Sequence, residues 1–348
     1  MGRLRSRTWV PAHRATWLVI LGVATVAMVP AGSAGKGVPP GATVVAKIRV
    51  PHASGELAAG LGGVWAMKDD GTTLYRIDPK RNAVVAQIAL GMHEACPTSP
   101  QSCGQVAVGD QAVWVVEPAA DVVARIDPRT DAVAATIPVD KQPAGVAVSP
   151  GAVWVASLRG PSVTRIDPTT NKVVSTIAVG PAKPCCGDHI TVATGDGGIW
   201  VTREKPGAVA RLDPASHRVS LIRMAPLRFG QPCGGLLVTP TAVWAGGAHC
   251  PTSSGYAVVT RIDPRTRKIV GAVKHVQSPI GLALAARSLW IADLDAKSVE
   301  RVDPATSRIV GKLRVGGVPI GLVRSFGALW LGDASGRVLR IEPAHNSG

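Results

Sequence analysis

Charged side chains are scarce in this chain, 18% of 348 residues, and no amphipathic helix can be traced after residue 35. Gly and Pro are abundant instead, with 39 and 28 copies, a balance that favours turn-rich β structure over helices. The signatures of several common catalytic machines are missing too. There is no Gly-x-Ser-x-Gly elbow, no His-Glu-x-x-His and no phosphate-cradling Gly-rich loop, so nothing points to a nucleotide cofactor. No Cys-x-x-Cys or His cluster accompanies the cysteines, so no metal site is expected from them.

One long apolar run is present, and it stands at the start. Arg3, Arg5, Arg7 and Arg14 precede residues 17–29, Pro30 breaks the run, and Ala31 to Ala34 supplies small residues. That order predicts a secretory signal over 1–34 and a linker over 35–42. A span of 13 residues is short for a membrane anchor, so membrane attachment is expected only if the signal stays uncleaved. No adjacent Arg pair suggests twin-arginine export, and no Cys after the run suggests a lipoprotein. Removing the four arginines takes the formal charge from +15 to +11, which favours anionic partners such as acidic glycans or cell-surface polymers. Export disfavours nucleic acid.

Six cysteines, an even number, suit an oxidising compartment: Cys96, Cys103, Cys185, Cys186, Cys233 and Cys250. Cys96 and Cys103 share a short Pro/Ser loop and are expected to bridge. A bond between Cys185 and Cys186 would be strained, so these two are expected to cross-pair with Cys233 and Cys250, in an order left open.

Two marks repeat in step. An aliphatic or small residue precedes Trp65, Trp114, Trp154, Trp200, Trp244, Trp290 and Trp330, and an Arg-aliphatic-acid-Pro motif follows each, from Arg76-Ile77-Asp78-Pro79 to Arg340-Ile341-Glu342-Pro343. Seven units spaced 39 to 50 residues apart, each reading as four short strands, predict an all-β, seven-bladed β-propeller over 43–343, followed by a tail over 344–348. Blade 3 is the most regular: inner strand 145–149, second strand 152–157, third strand 162–167, outer strand 172–179. Its Asp167-Pro168-Thr169-Thr170 fits a type I turn. The Trp is expected to fill the gap between neighbouring blades. The Arg and acid of each motif, two apart on a strand, are expected to form a structural ion pair. The seventh unit lacks an outer strand, and 43–50 resembles the outer strands 83–90 and 172–179, so the N-terminal strand is expected to complete the last blade.

Function is expected on one face. The linkers between blades and the loops after each second strand open on the same rim, and they hold all six cysteines and the insertions 92–104, 181–189, 225–234 and 248–256. Three residues after each Trp stand Lys68, Glu117, Ser157, Arg203, Gly247, Asp293 and Asp333, with Asp69 and Glu204 one step on. Such a mixed-charge ring suits a polar ligand, with Lys68 and Arg203 facing anions and Glu117, Asp293 and Asp333 orienting polar groups. His93, Glu94, His189 and His249 fall on the same rim.

The repeat Pro-x-Gly-x-Ala-Val-x-x-Gly-Ala-Val-Trp-Val, then Val-x-Arg-Ile-Asp-Pro-x-Thr, resembles the YVTN-type (YncE-like) propellers of exported bacterial proteins. It is also similar to the propeller of streptogramin B lyases. The lyase resemblance implies a Trp-x-x-Glu at the rim end of a second strand and a His before an inner strand, acting with a divalent ion such as Mg to open a lactone by elimination. Trp114-Val115-Val116-Glu117 matches the first element and His189 can match the second, with Glu204 nearby. The other blades depart: Asp293 and Asp333 replace Glu, and Ser157, Arg203 and Gly247 remove the acid. The reading taken forward is an exported, monomeric, non-catalytic propeller without a cofactor. It would bind a polar or anionic small molecule, a glycan or cell-surface polymer, or another protein on its rim. A metal-assisted lyase or hydrolase using Glu117, His189 and Glu204 is the alternative, and a YncE-like DNA binder the second.

Overall fold

An Asp-Pro turn reverses the chain tightly, and alternating apolar residues on either side of it give strands with one face to bury. A computed structural model describes residues 41–91, 104–180, 190–203, 207–224, 232–247 and 257–344, and shows what those local signals build. Twenty-eight strands form seven four-stranded antiparallel sheets, each running from an inner to an outer strand, and the chain is a seven-bladed β-propeller. In blade 3 the strands are Pro143–Ser149, Ala152–Ser157, Ser162–Asp167 and Lys172–Ala178. The middle two fall where the sequence places them. The inner one starts two residues earlier, at Pro143.

Each turn between the third and outer strands is closed by its own aspartate. Asp167 Oδ1 accepts the amides of Thr169 at 2.8 Å and Thr170 at 3.3 Å, and Asn171 then adopts a left-handed backbone (φ 56°). The same left-handed position is filled by Asn82, Asp131, His217, Arg267 and Ser307 in other blades. A type I turn followed by a left-handed residue matches the twist of the flanking strands. The outer strand then carries one extra residue opposite the third, which turns Val174 and Val270 out to solvent.

All seven Trp side chains are fully buried, and each packs on the next blade: Trp154, for instance, sits with Val192, Ile199 and Val201 of blade 4. The indole N–H of Trp65, Trp114, Trp200, Trp290 and Trp330 donates to a carbonyl ending its own inner strand, at 3.0–3.2 Å. Burying so large a ring while satisfying its one polar atom holds the inner hairpin and the interblade core together.

The repeated Arg–acid ion pair expected from the spacing does not form as a rule. Among the described residues only Arg340 and Glu342 meet within one motif, at 3.1 Å. The acid ends its strand beside unpaired turn amides, and those amides bind it. They hold the carboxyls of Asp78, Asp167, Asp213 and Asp263 below the usual carboxylate range. The Arg, directly opposite Trp in the register (Trp154 against Arg165), lies over the indole instead, 5.3–5.8 Å from the ring centre in six blades.

The ring closes as anticipated. The N-terminal strand Ala42–Arg49 pairs antiparallel with Arg337–Pro343, Thr43 against Glu342 and Ile48 against Val338, and so becomes the outer strand of blade 7. This pairing covers the sheet edge that blade would otherwise expose. Two outcomes follow. Trp154→Ala removes a fully buried ring and is expected to cost about 3–5 kcal/mol in denaturant unfolding. Deleting residues 43–50 is expected to leave a chain that aggregates or lacks a cooperative melt, read by size-exclusion chromatography and calorimetry.

Candidate functional site

A second strand that ends at the rim carries its last side chain to the point where the linker from the previous blade crosses it. That position gathers Lys68, Glu117, Ser157, Arg203, Gly247, Asp293 and Asp333, as the spacing after Trp requires. All but Lys68 are buried, and their bonds run inward. Asp293 is fully buried and accepts the amides of Gln277 at 2.8 Å and Ser278 at 2.9 Å. Asp333 does the same for Val318 and Ser335, takes the Ser335 hydroxyl, and is paired with Arg337. Burial pushes its carboxyl up, but these bonds outweigh it and hold the group below its usual range. Ser157 donates to the Asp140 carbonyl at 3.2 Å. Arg203 Nη1 donates to the Val179 carbonyl at 2.7 Å, and the missing Cβ of Gly180 leaves room for the guanidinium. Lys68 pairs with Asp70 at 2.5 Å, and half-buried Asp69 lies 3.7 Å from His52. Most of the ring therefore braces the linkers, and Arg203, Asp293 and Asp333 direct their charge into the scaffold rather than out to a ligand.

Glu117 differs. It is 3% exposed, and its Oε1 is buried with no hydrogen-bond partner. Burial pushes the carboxyl up to about 7. Strand alternation puts Glu117 on the face of Val113 and Val115, which pack against Trp65 and Met67 of blade 1. A second carboxyl with a raised pKa stands on the inner strand of blade 1. Glu56 stands on that strand, Ala53–Gly60, in the stretch where its register with the second strand shifts. Burial raises Glu56 to about 7 as well. Sequence reasoning passed over Glu56. Its signal was present: nine residues before Trp, blades 3, 5, 6 and 7 have Gly145, Gly235, Gly281 and Gly321, where blade 1 has an acid.

Carboxyls raised to about 7, as Glu117 and Glu56 are, keep part of their protons near neutral pH. Protonated, they donate to a carbonyl or ether oxygen; ionised, they attract an amine or a cation. The lyase alternative needs Glu117, His189 and Glu204 around a divalent ion. Glu117 alone of these lies among the described residues, where no three His, Cys, Asp or Glu come together, so no step is derived through a metal. His93, Glu94, His249 and five of the cysteines also lie outside the described residues. Cys233 is half-buried and disulfide-bonded.

No protein-family model matches the chain, and no curated protein is similar to it in sequence. Solved structures are. Virginiamycin B lyase from Staphylococcus aureus superposes with a TM-score of 0.66 at 14% identity, over 86% of this chain and 99% of that one. A streptogramin B lyase gives 0.69 at 13% identity, over 86% and 97%. BamB from Moraxella catarrhalis gives 0.58 at 15%, over 88% and 99%. The likeness is one of fold. It agrees with the resemblance to streptogramin B lyases read from the repeat.

The buried acid makes a pH-dependent expectation. Glu117 favours its protonated form in the fold, so its presence is harmless below about pH 4.5 and increasingly destabilising as pH rises to about 7. Glu117→Gln should therefore melt roughly 5 °C above the parent at pH 8 and level with it at pH 4.5, read by thermal denaturation across pH.

Proposed function

We propose that this is an exported, non-catalytic propeller that binds a polar ligand or a surface partner on its loop-rich rim, over the seam of blades 1 and 2. The observation that carries the reading is Glu117, a buried carboxyl without a partner at the rim end of a strand whose counterparts are nearly all satisfied internally. A polar group left unpaired in a buried position costs stability, and a ligand that supplies the missing bond recovers it. Glu56, on the inner strand of blade 1, is a second carboxyl raised to about 7 by burial. In the sequence, the insertion at 92–104 directly precedes the inner strand of blade 2. Export rests on the basic and apolar N-terminal residues and on the even cysteine count.

The lyase-type reading has one specific support: Trp114-Val115-Val116-Glu117 fits the family's element, and solved lyases share the fold. One experiment separates the two. The parent and Glu117→Gln are incubated with chito-oligosaccharides, with a basic peptide and with a cyclic depsipeptide lactone, with and without Mg²⁺. Calorimetry then reads binding, and chromatography with mass detection reads the lactone. Binding of one probe, weakened about tenfold or more by Glu117→Gln with the lactone intact, is the expected result. A Mg²⁺-dependent lactone product of unchanged mass and new retention would mean elimination, and would replace the binding reading with the lyase.

A further inference from the structure

The face opposite the loop-rich rim carries only short turns, and the basic excess gathers there. Arg81, Arg129, Lys172, Arg218, Arg265 and Arg267 all lie in or beside turns between third and outer strands. In one seam an acid meets this charge directly. There the Arg that covers Trp reaches into the turn of the next blade: Arg76 Nη1 donates to the Pro128 carbonyl at 2.8 Å and to Asp131 Oδ1 at 2.9 Å. Arg340 treats Pro79 and Asn82 in the same way, at 3.3 and 3.5 Å. The facing residue is the left-handed one that closes the turn, and it is Asn82, Asp131, Asn171, His217 or Ser307 in other blades.

Between blades 4 and 5 that residue is Arg267, so Arg211 faces a cation where Arg76 faces an acid. Arg211 keeps its stack on Trp200, at 5.8 Å, and a long contact with the Gly197 carbonyl of its own blade, at 3.5 Å. Arg267 donates to Ser220 Oγ at 3.1 Å. Around them opens a cleft of about 450 Å³, lined by Asp196, Arg211, Pro240, Pro264, Arg265 and Arg267. Three guanidinium groups thus share one cleft with a single carboxylate. Among the described residues none of the three forms an ion pair. Asp213 and Asp263 stand near enough to Arg211 and Arg265 for those guanidiniums to help lower their carboxyls; arginine does not discharge in a protein, so the charge left over stays available to an anion.

We propose that the cleft between blades 4 and 5 binds a small molecule bearing a tetrahedral oxyanion, a phosphate or a sulfate group. Guanidinium forks match such an oxyanion with paired, charge-assisted hydrogen bonds, which a chloride ion cannot use. The cleft exceeds a bare phosphate and falls in the range of small-molecule sites, and Pro240 and Pro264 give it apolar walls for the rest of the ligand. The site lies on the other face from Glu117, so it is independent of the rim reading.

The test titrates pyrophosphate, inorganic sulfate and citrate against the full chain at constant ionic strength in chloride, by calorimetry and thermal shift. Arg267→Asp rebuilds the arrangement of Arg76 and Asp131 in this seam, and Arg265→Gln is a milder second variant. Pyrophosphate or sulfate should bind the parent, with affinity falling about tenfold or more in each variant, while Glu117→Gln binds like the parent. Whichever of the two binds better names the group. Arg267→Asp should also melt higher than the parent in plain chloride. Equal response of parent and both variants, preference for citrate over both tetrahedral anions, or no response beyond chloride would each overturn the site.

Discussion

The structure depends on a stacked pair repeated around the ring: a guanidinium lying on an indole whose other side faces the next blade. The indole N–H ties down the inner hairpin of its own blade, while its carbon surface fills the core shared with the neighbour. The guanidinium covers the outside of that ring. Its Nε is buried without a hydrogen bond in Arg76, Arg125, Arg165, Arg261 and Arg340, which the aromatic face makes tolerable. One residue pair therefore serves strand pairing within a sheet and packing between sheets. That double duty leaves little freedom at these positions, and chemistry has to be placed around them.

Much of the architecture was legible because its signals are local. A Trp at a fixed step, an Asp-Pro turn and an orphan strand at the N-terminus each report on a few neighbouring residues, and counting them gave the blade number and the closure. The fate of charged residues was less legible, since it depends on partners distant in sequence. Asp293 looks like a rim acid until the amides of Gln277 and Ser278, brought in by the preceding linker, are seen to occupy it. Asp167 looks like the partner of Arg165 until the turn amides claim it. Glu117 was picked out as one acid of the rim ring and as the match to a family element. What sets it apart, a buried oxygen with nothing to bind, appears only in three dimensions.

The repeat also serves as a ruler. Glu56 is the one acid at a position that is glycine in four blades, and Arg267 is the one arginine at a turn position filled elsewhere by Asn, Asp, His or Ser. They lie in different blades, 1 and 5. At the rim two acids are held back from ionising by their surroundings; on the far face three arginines stay charged whatever surrounds them. A ring of near-identical sheets can thus carry two chemically opposite surfaces without altering its core.

The closing strand has a mechanical consequence. Ala42 pairs with Pro343 at the end of the two strands where the chain enters and leaves the ring, and Arg49 pairs with Arg337 at the far end. Tension applied through the two termini would load that first pair alone and peel the strands apart one rung at a time, instead of shearing all rungs together. The ring would yield at low force along this single line, while the other six sheets, each continuous in the chain, stayed folded.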